Sequence, residues 1–257
     1  MRSTLHPAHV LRVATYNIHK GVRGVGPRKR LEIHNLGLGV EALDADLVYL
    51  QEVHSFHRAE ARRFPDTKFG WPRMPHAEFL APEGYEVAYR SNAITREGEH
   101  GNALLSRWPI GDIGHHDMSD HRFEQRGLLH VPVQWHGVLV HCIVVHLGLI
   151  HASRVRQVKL IAKMMAAEVP KKDRVVLAGD FNDWGEKLDD SMLDIGLQRA
   201  TRDGAAPQRT FPSRVPVFAL DRIYTRGFRC TATHVPRGTT WARMSDHLPM
   251  VAELELE

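Results

Sequence analysis

The sequence predicts an α/β protein built around a layered sheet. Short apolar runs of strand length recur along the chain, many of them end in a charged or amide side chain, and stretches with helical spacing of apolar residues lie between them. With 257 residues the chain can bury a substantial core as one large α/β domain or two small ones. No linker is visible, so a single domain over residues 1–257 is expected.

The composition, 43% hydrophobic and 25% charged, excludes a disordered or fibrous protein. Lys and Arg exceed Asp and Glu by 34 to 30, a balance of +4 that favours anionic partners more weakly than a dedicated nucleic-acid binder would. Cys142 and Cys230 read as buried or half-buried side chains, which suits a reducing compartment. The first residues hold no apolar stretch long enough for a signal peptide, and no later segment is long enough to span a bilayer. A soluble, cytoplasmic protein is the expectation.

Leu11 to Tyr16 is the first strand and delivers Asn17 at its end. The following loop, Lys20 to Arg30, carries five basic residues that form either a phosphate-attracting rim or a solvated charge run. Leu31 to Leu43 has helical spacing, and Asp44 to Asp46 ends it. A buried strand from Leu47 to Leu50 then presents Glu52, a carboxylate that is costly there unless paired or bound to a metal. Arg58 to Arg63 is a helical surface. The aromatics Phe69, Trp71, Phe79 and Tyr85 either pack a long connection onto the domain or form a lip over a substrate.

Val87 to Tyr89 and Asn102 to Ser106 read as paired strands joined by a polar loop from Arg90 to Gly101. His115, His116 and His121 lack zinc-type spacing and read as surface residues of a loop. Leu128 to Val133 and Val138 to Val145 form an antiparallel pair that delivers His146, whose alternative is a plain core histidine. A layer-covering helix opens at Ser153 with Val158, Ile161 and Met165 on one face, and Pro170 stops it.

The central stretch is Val175 to Trp184, an apolar strand that ends in Asp180 and Asn182 with Phe181 between them. Extended alternation puts Asp180 and Asn182 on one side and turns Phe181 into the core. A carboxylate beside a carboxamide suits a metal-bound water or a phosphate oxygen; a simple capped turn is the alternative. A helix follows around Leu188 to Ile195, and Asp221 then sits in a strand-like run from Phe218 to Tyr224. Asp246 and His247 precede an alternating strand, Leu248 to Leu256.

Asn17, Glu52, His146, Asp180, Asn182, Asp221, Asp246 and His247 all lie at or beside the ends of apolar runs. Scatter of this kind is what a site at the mouth of a layered sheet leaves in sequence. Mostly oxygen donors imply a hard ion, Mg²⁺ or Mn²⁺, in place of a structural zinc.

Seven segments in order, TYNIH, LQEV, GNALLSRWPI, VVHLG, AGDFND, LDRIY and SDHLPM, resemble the endonuclease/exonuclease/phosphatase superfamily over Thr15 to Val251. The resemblance implies a four-layered α/β sandwich, with two mainly antiparallel sheets face to face, helices outside and the site at one edge. It further implies that Glu52 holds the divalent ion with Asn17 and Asp246 close to it, and that Asp221 orients His247, which orients or deprotonates the attacking water. Asp180 would position that water, and Asn182 and His146 would donate to the charge on phosphorus. Asn102 and Arg126 are carried over as contacts to the substrate phosphate.

Departures narrow the group. Trp108 stands where pancreatic-type deoxyribonucleases place an acid, which would leave His146 without that partner. Val217 to Leu220 lacks the tryptophan of inositol polyphosphate 5-phosphatases, and His19 replaces an acid of apurinic endonucleases. The expected activity is Mg²⁺- or Mn²⁺-dependent hydrolysis of a phosphodiester by in-line attack of water, nuclease-like, with phospholipid or small-molecule esters as the alternative. A binding module that only kept the fold would lack a catalytic residue, and none is missing.

Overall fold

In the computed structural model, which describes residues 9–65, 69–120, 124–201 and 205–257, the elements follow in a strict order. They are β1 (Val10–Asn17), β2 (Val22–Arg23), β3 (Arg30–Leu31), α1 (Ile33–Leu43), β4 (Leu47–His57), α2 (Arg58–Arg63), α3 (His76–Leu80), β5 (Glu86–Ile94) and β6 (Gly98–Ser106). The chain continues as β7 (Gly114–Asp117), β8 (Gly127–Trp135), β9 (Val138–His146), α4 (His151–Glu168), β10 (Arg174–Asp180) and α5 (Asp189–Asp194). It closes with β11 (Gln198–Arg199), β12 (Asp221–Arg226), β13 (Phe228–His234), α6 (Trp241–Met244) and β14 (Met250–Leu256).

Two six-stranded sheets form, in the orders β13-β14-β1-β4-β6-β5 and β11-β12-β10-β9-β8-β7, and β2 and β3 make a small ribbon. Each large sheet is antiparallel except for one parallel pair, β1 with β4 and β9 with β10. Both parallel connections pass through a helix, α1 or α4, as a crossover requires.

Side-chain alternation sorts three apolar layers. Leu11, Val13, Tyr49, Leu104, Val144, Val176, Ala178 and Ile223 meet between the sheets. Ala14, Tyr16, Leu50 and Val251 face outward onto Ile33, Leu36 and Val40 of α1. On the other side Ile143, Val145, Leu177 and Tyr224 receive Val158, Ile161 and Met165 of α4. Helix, sheet, sheet, helix is the four-layered sandwich expected.

Several boundaries differ from the sequence reading. The polar stretch Arg90 to Gly101 is mostly strand, because β5 and β6 continue through it and pair out to Ile94 and Glu99. His115 and His116 lie on edge strand β7, not in a loop, and His121 lies outside the described residues. The lip reading of the aromatic connection gives way to packing for most of its members. Trp71 is buried against His76, Phe79 and Tyr85 join the layer under α1, and only Phe69 is strongly exposed.

Behind the mouth of the second sheet, Arg222 is wholly buried and gives hydrogen bonds to Asp183 Oδ2 at 3.0 Å and to the Ala219 and Asp183 carbonyls. Arg154 reaches the same Asp183 at 3.7 Å and holds the carbonyls of Gly148 and Leu149. This network pins the two loops that flank Asp180. A buried charge is tolerated only while paired, so Arg222→Ala should cost about 3–5 kcal/mol in a urea melt by leaving Asp183 with its weaker partner alone. A loss below about 1 kcal/mol would show that the pair carries little of the fold.

Candidate active site

Alternation alone brings the key side chains together. On β1 the inward stripe Leu11, Val13, Thr15 ends in Asn17, and on β10 the stripe Val176, Ala178 ends in Asp180. The register then sets His146 of β9 and Asp221 of β12 on either side of Asp180. Gly179 permits this closeness, since a Cβ there would lie 1.8 Å from the Val145 carbonyl oxygen.

Glu52 arrives differently. By alternation it would face outward with Val48 and Leu50, but the β4–β6 register slips between Leu50 and Val53 and Glu52 takes φ 57. This bulge turns its carboxylate to the mouth, near Asn17 Nδ2 at 3.5 Å and Lys20 Nζ at 3.7 Å. Asn182 also departs from the extended reading. It sits at φ 47, its backbone N–H caps Asp180 Oδ1 at 2.9 Å, and its amide donates to the Leu147 carbonyl at 2.9 Å.

Asp180 Oδ2 is the focus of the cluster. It accepts from Asn17 Nδ2 at 3.1 Å, with His146 Nε2 at 3.5 Å and His247 Nε2 at 3.6 Å. His247 Nδ1 donates to Asp221 Oδ2 at 2.8 Å, and Thr210 Oγ1 donates to the same oxygen at 2.6 Å. Asp246 lies one step outward, with its Oδ1 3.2 Å from His19 Nδ1. Ser245 ties this turn to β1 by donating to the Asn17 carbonyl.

The electrostatics separate the roles. Burial, aided by Asp221 and opposed by His247, pushes the Asp180 carboxyl up to about 6. Burial works against charging His247, but Asp221 and Asp180 outweigh it and hold the imidazolium up to about 10. Burial and the charges of Arg126 and His247 drive His146 well below its ordinary value, so it stays neutral. Burial would also raise Asp246, yet the His19 hydrogen bond and nearby His247 keep it at about 2.

The donors fit a hard cation. Glu52 is half-buried at the mouth, and its nearest partners among the described residues are the two long contacts above, so its oxygens are available. Asp180, Asp221 and His247 also offer ligand atoms within 4.8 Å of one another, but two of these three are already engaged in the Asp221–His247 hydrogen bond.

Two carried-over residues behave differently from each other. Asn102 is fully buried, and its amide donates to the Gly127 and Val144 carbonyls, so it fastens β6 of one sheet to the other and has no donor left for a phosphate. That expectation is corrected. Arg126 bonds Glu124 and its charge bears on both His146 and His100, which sets it beside the mouth. Of the basic loop, Lys20 reaches the site, whereas Arg23 is engaged by the Ala242 and Ser245 carbonyls and Lys29 by Glu60.

Sequence reasoning missed Thr210, His19 and an aromatic wall. Phe211 lies 4.8 Å from the His247 ring, with Trp184 5.5 Å from Phe211 and 5.0 Å from Phe218. Trp184 and Phe218 are exposed, at 42% and 37%. Their only signal was proximity in sequence to Asp180 and Asp221.

Two sheets face to face, with carboxylates, an Asp–His pair and amides converging at one edge, define a class of sandwich hydrolases. The Endonuclease/Exonuclease/phosphatase family model matches residues 14–247, and the chain belongs to that family. It is 38% identical over 250 residues to the uncharacterised protein YbhP of Escherichia coli (strain K12), covering 95% of this chain and 96% of the relative. In fold it is similar to a mannosyl-6-phosphatase of Bacteroides thetaiotaomicron (TM-score 0.69, 19% identity, 95% of this chain and 99% of that one). It is likewise similar to TDP2 of D. rerio complexed with a single-strand DNA product (TM-score 0.65, 14% identity, 96% and 99%). Among the described residues no helix is long and apolar enough to cross a membrane.

The raised Asp180 carboxyl implies a stability effect with a definite sign. The fold prefers the protonated form, so stability is lost as pH rises from 3.8, the ordinary value, through about 6. Asp180→Asn should therefore match or exceed the wild type by about 1–3 kcal/mol in urea melts at pH 7, with the gap closing below about pH 4. A loss of several kcal/mol at pH 7 would mark Asp180 as a structural residue.

Proposed function

We propose that this chain is a divalent-metal-dependent phosphodiester hydrolase, acting on nucleic acid in preference to small esters. The observation that carries the reading is the pairing of a carboxylate at about 6 with an imidazolium at about 10, 3.6 Å apart at the mouth beside Glu52. Two groups whose environments push them apart in this way divide acid and base work between them.

Glu52 would hold Mg²⁺ or Mn²⁺, with Asn17 and Asp246 near it. When bound, the ion supplies positive charge to a phosphoryl oxygen and to the leaving oxyanion. Asp180 is the better base for the attacking water, because it is ionised just above pH 6 and lies close to neutrality. His247 is charged over the same range and so contributes a proton donor and positive charge toward the phosphoryl group; the sequence-based assignment of the base to this ring is revised accordingly. Asp221 and Thr210 fix the ring's orientation, and Asn17 steadies the Asp180 oxygen that would take the proton.

The aromatic wall favours nucleic acid. Trp184 and Phe218 offer exposed ring faces beside His247, and base stacking on such faces contributes about 1–3 kcal/mol per base. A phospholipid headgroup is the second reading, favoured by Leu149 and Ile150, exposed at 59% and 55% just after the His146 turn. Single-stranded, abasic and plasmid DNA, RNA, phospholipid vesicles and bis-para-nitrophenyl phosphate, each with Mg²⁺, separate these substrates.

Activity should vanish in EDTA, return with Mg²⁺ or Mn²⁺, and need more metal in Glu52→Gln. Full turnover in chelator would sink the proposal. The pH profile of kcat/KM should rise through about pH 6 as Asp180 ionises and fall through about pH 10 as His247 loses its proton. Asp221→Asn should lower kcat by about 10²- to 10⁴-fold and move the falling limb to lower pH. The double variant with His247→Ala should be little worse than His247→Ala alone; losses that multiply would mean the two act independently.

A further inference from the structure

At the opposite end of the second sheet from the mouth, a group of histidines and carboxylates remains that the hydrolytic site does not use. Alternation places His130 of β8 with Leu128, and His141 of β9 with Ile143, on the face that α4 covers. Both rings are buried, at 5% exposure. His141 is five residues before His146, so the group lies roughly 16 Å from the catalytic edge.

The contacts form a chain. Glu168 Oε2 is 3.4 Å from His130 Nδ1, His130 Nε2 is 2.9 Å from His141 Nδ1, and His141 Nε2 is 3.2 Å from Asp173 Oδ2. On the other carboxylate oxygen, His116 Nε2 of edge strand β7 lies 3.2 Å from Glu168 Oε1. That nitrogen is buried and has no hydrogen bond of acceptable geometry.

Counting protons exposes a vacancy. The row from Glu168 through His130 and His141 to Asp173 has three contacts, but two neutral imidazoles bring only two N–H protons. One contact must then set lone pair against lone pair. The longest, between Glu168 and His130, is the natural gap. If His130 Nε2–H donates to His141 and His141 Nε2–H donates to Asp173, then His130 Nδ1, the Glu168 carboxylate and the unpaired His116 Nε2 all aim acceptors at one region.

An extra proton is a poor filler, because burial and neighbouring His141 disfavour charge on His130. A second observation also calls for a cation. Glu168 is the last residue of α4, where the helix dipole is negative, and no basic residue occupies that last turn.

We propose that His116, His130 and Glu168 form a second metal site, for a borderline transition ion such as Zn²⁺, separate from the hard-cation site at the mouth. Two imidazoles and one carboxylate with room for a water match such an ion and not Mg²⁺. Neighbouring ligands on a tetrahedral ion with bonds of about 2.0–2.1 Å lie about 3.3 Å apart, close to the spacing of each imidazole nitrogen from Glu168. His141 and Asp173 would fix the tautomer of His130 through its outer nitrogen. The ion would clamp edge strand β7, β8 and the end of α4 together.

The test is equilibrium dialysis of the full chain against Zn²⁺ with metal analysis, in an Asp180→Asn background that weakens binding at the mouth. The expected result is one tightly held zinc per chain, lost in His116→Ala and in Glu168→Gln. His141→Ala should weaken it by about 10- to 100-fold. Outside that background, His116→Ala should keep Mg²⁺-supported turnover, and Zn²⁺ should raise the Tm of the wild type but not of His116→Ala. Because His130 is buried and its replacement risks unfolding, the half-exposed His116 and Glu168 carry the test. Equal zinc retention in all variants, or none in the parent, would overturn the site.

Discussion

One carboxylate oxygen joins the two halves of this molecule. Asp180 Oδ2 belongs to the second sheet, yet its hydrogen bond comes from Asn17 of the first, and His247, which the first sheet's β14 follows, stands 3.6 Å away. For these groups to meet, both sheets must present the same inward stripe to one edge at the same depth. The packed layer of Val13, Tyr49, Val144, Val176 and Ile223 is what sets that depth. The core acts as the spacer that makes a charged cluster reproducible.

The cluster is held against its own electrostatics. Asp180 and Asp221 are adjacent across the ladder and both buried, and their mutual repulsion is met by a single imidazolium between them. A few residues farther back, Arg222 and Arg154 neutralise Asp183 and so keep a further negative charge from reaching the mouth. Strain is confined to the backbone positions that aim side chains, with Glu52 and Asn182 both in the left-handed region.

Much of this was legible in the sequence because period-two alternation and apolar runs survive without any knowledge of pairing. Asn17, His146, Asp180 and Asp221 could be read as strand-end groups, and the structure puts them on one edge. What could not be read depended on register. Glu52 reaches the mouth only because a bulge reverses its face, and nothing local in LQEV announces a bulge. Asn102 looked like a phosphate contact because it sits in a motif, yet its neighbours across the sandwich, Gly127 and Val144, claim its amide. The aromatic wall was hidden for a related reason: Trp184 and Phe211 are far apart in sequence and meet only through the close of the sheet edge.

The placement of histidine shows how one residue type is given different work by its surroundings. His247 is flanked by two buried carboxylates and stays charged; His146, beside the same Asp180 but exposed to the fields of Arg126 and His247, stays neutral. Burial is nearly the same for both rings. Solvent exclusion therefore cannot be what separates them, and the sign of the neighbouring charge decides. A site that needs one proton donor and one neutral ring on either side of a single carboxylate can obtain both by moving a second carboxylate, Asp221, to one side only. That asymmetry is supplied by the antiparallel pairing of β10 with β12, set opposite its parallel pairing with β9.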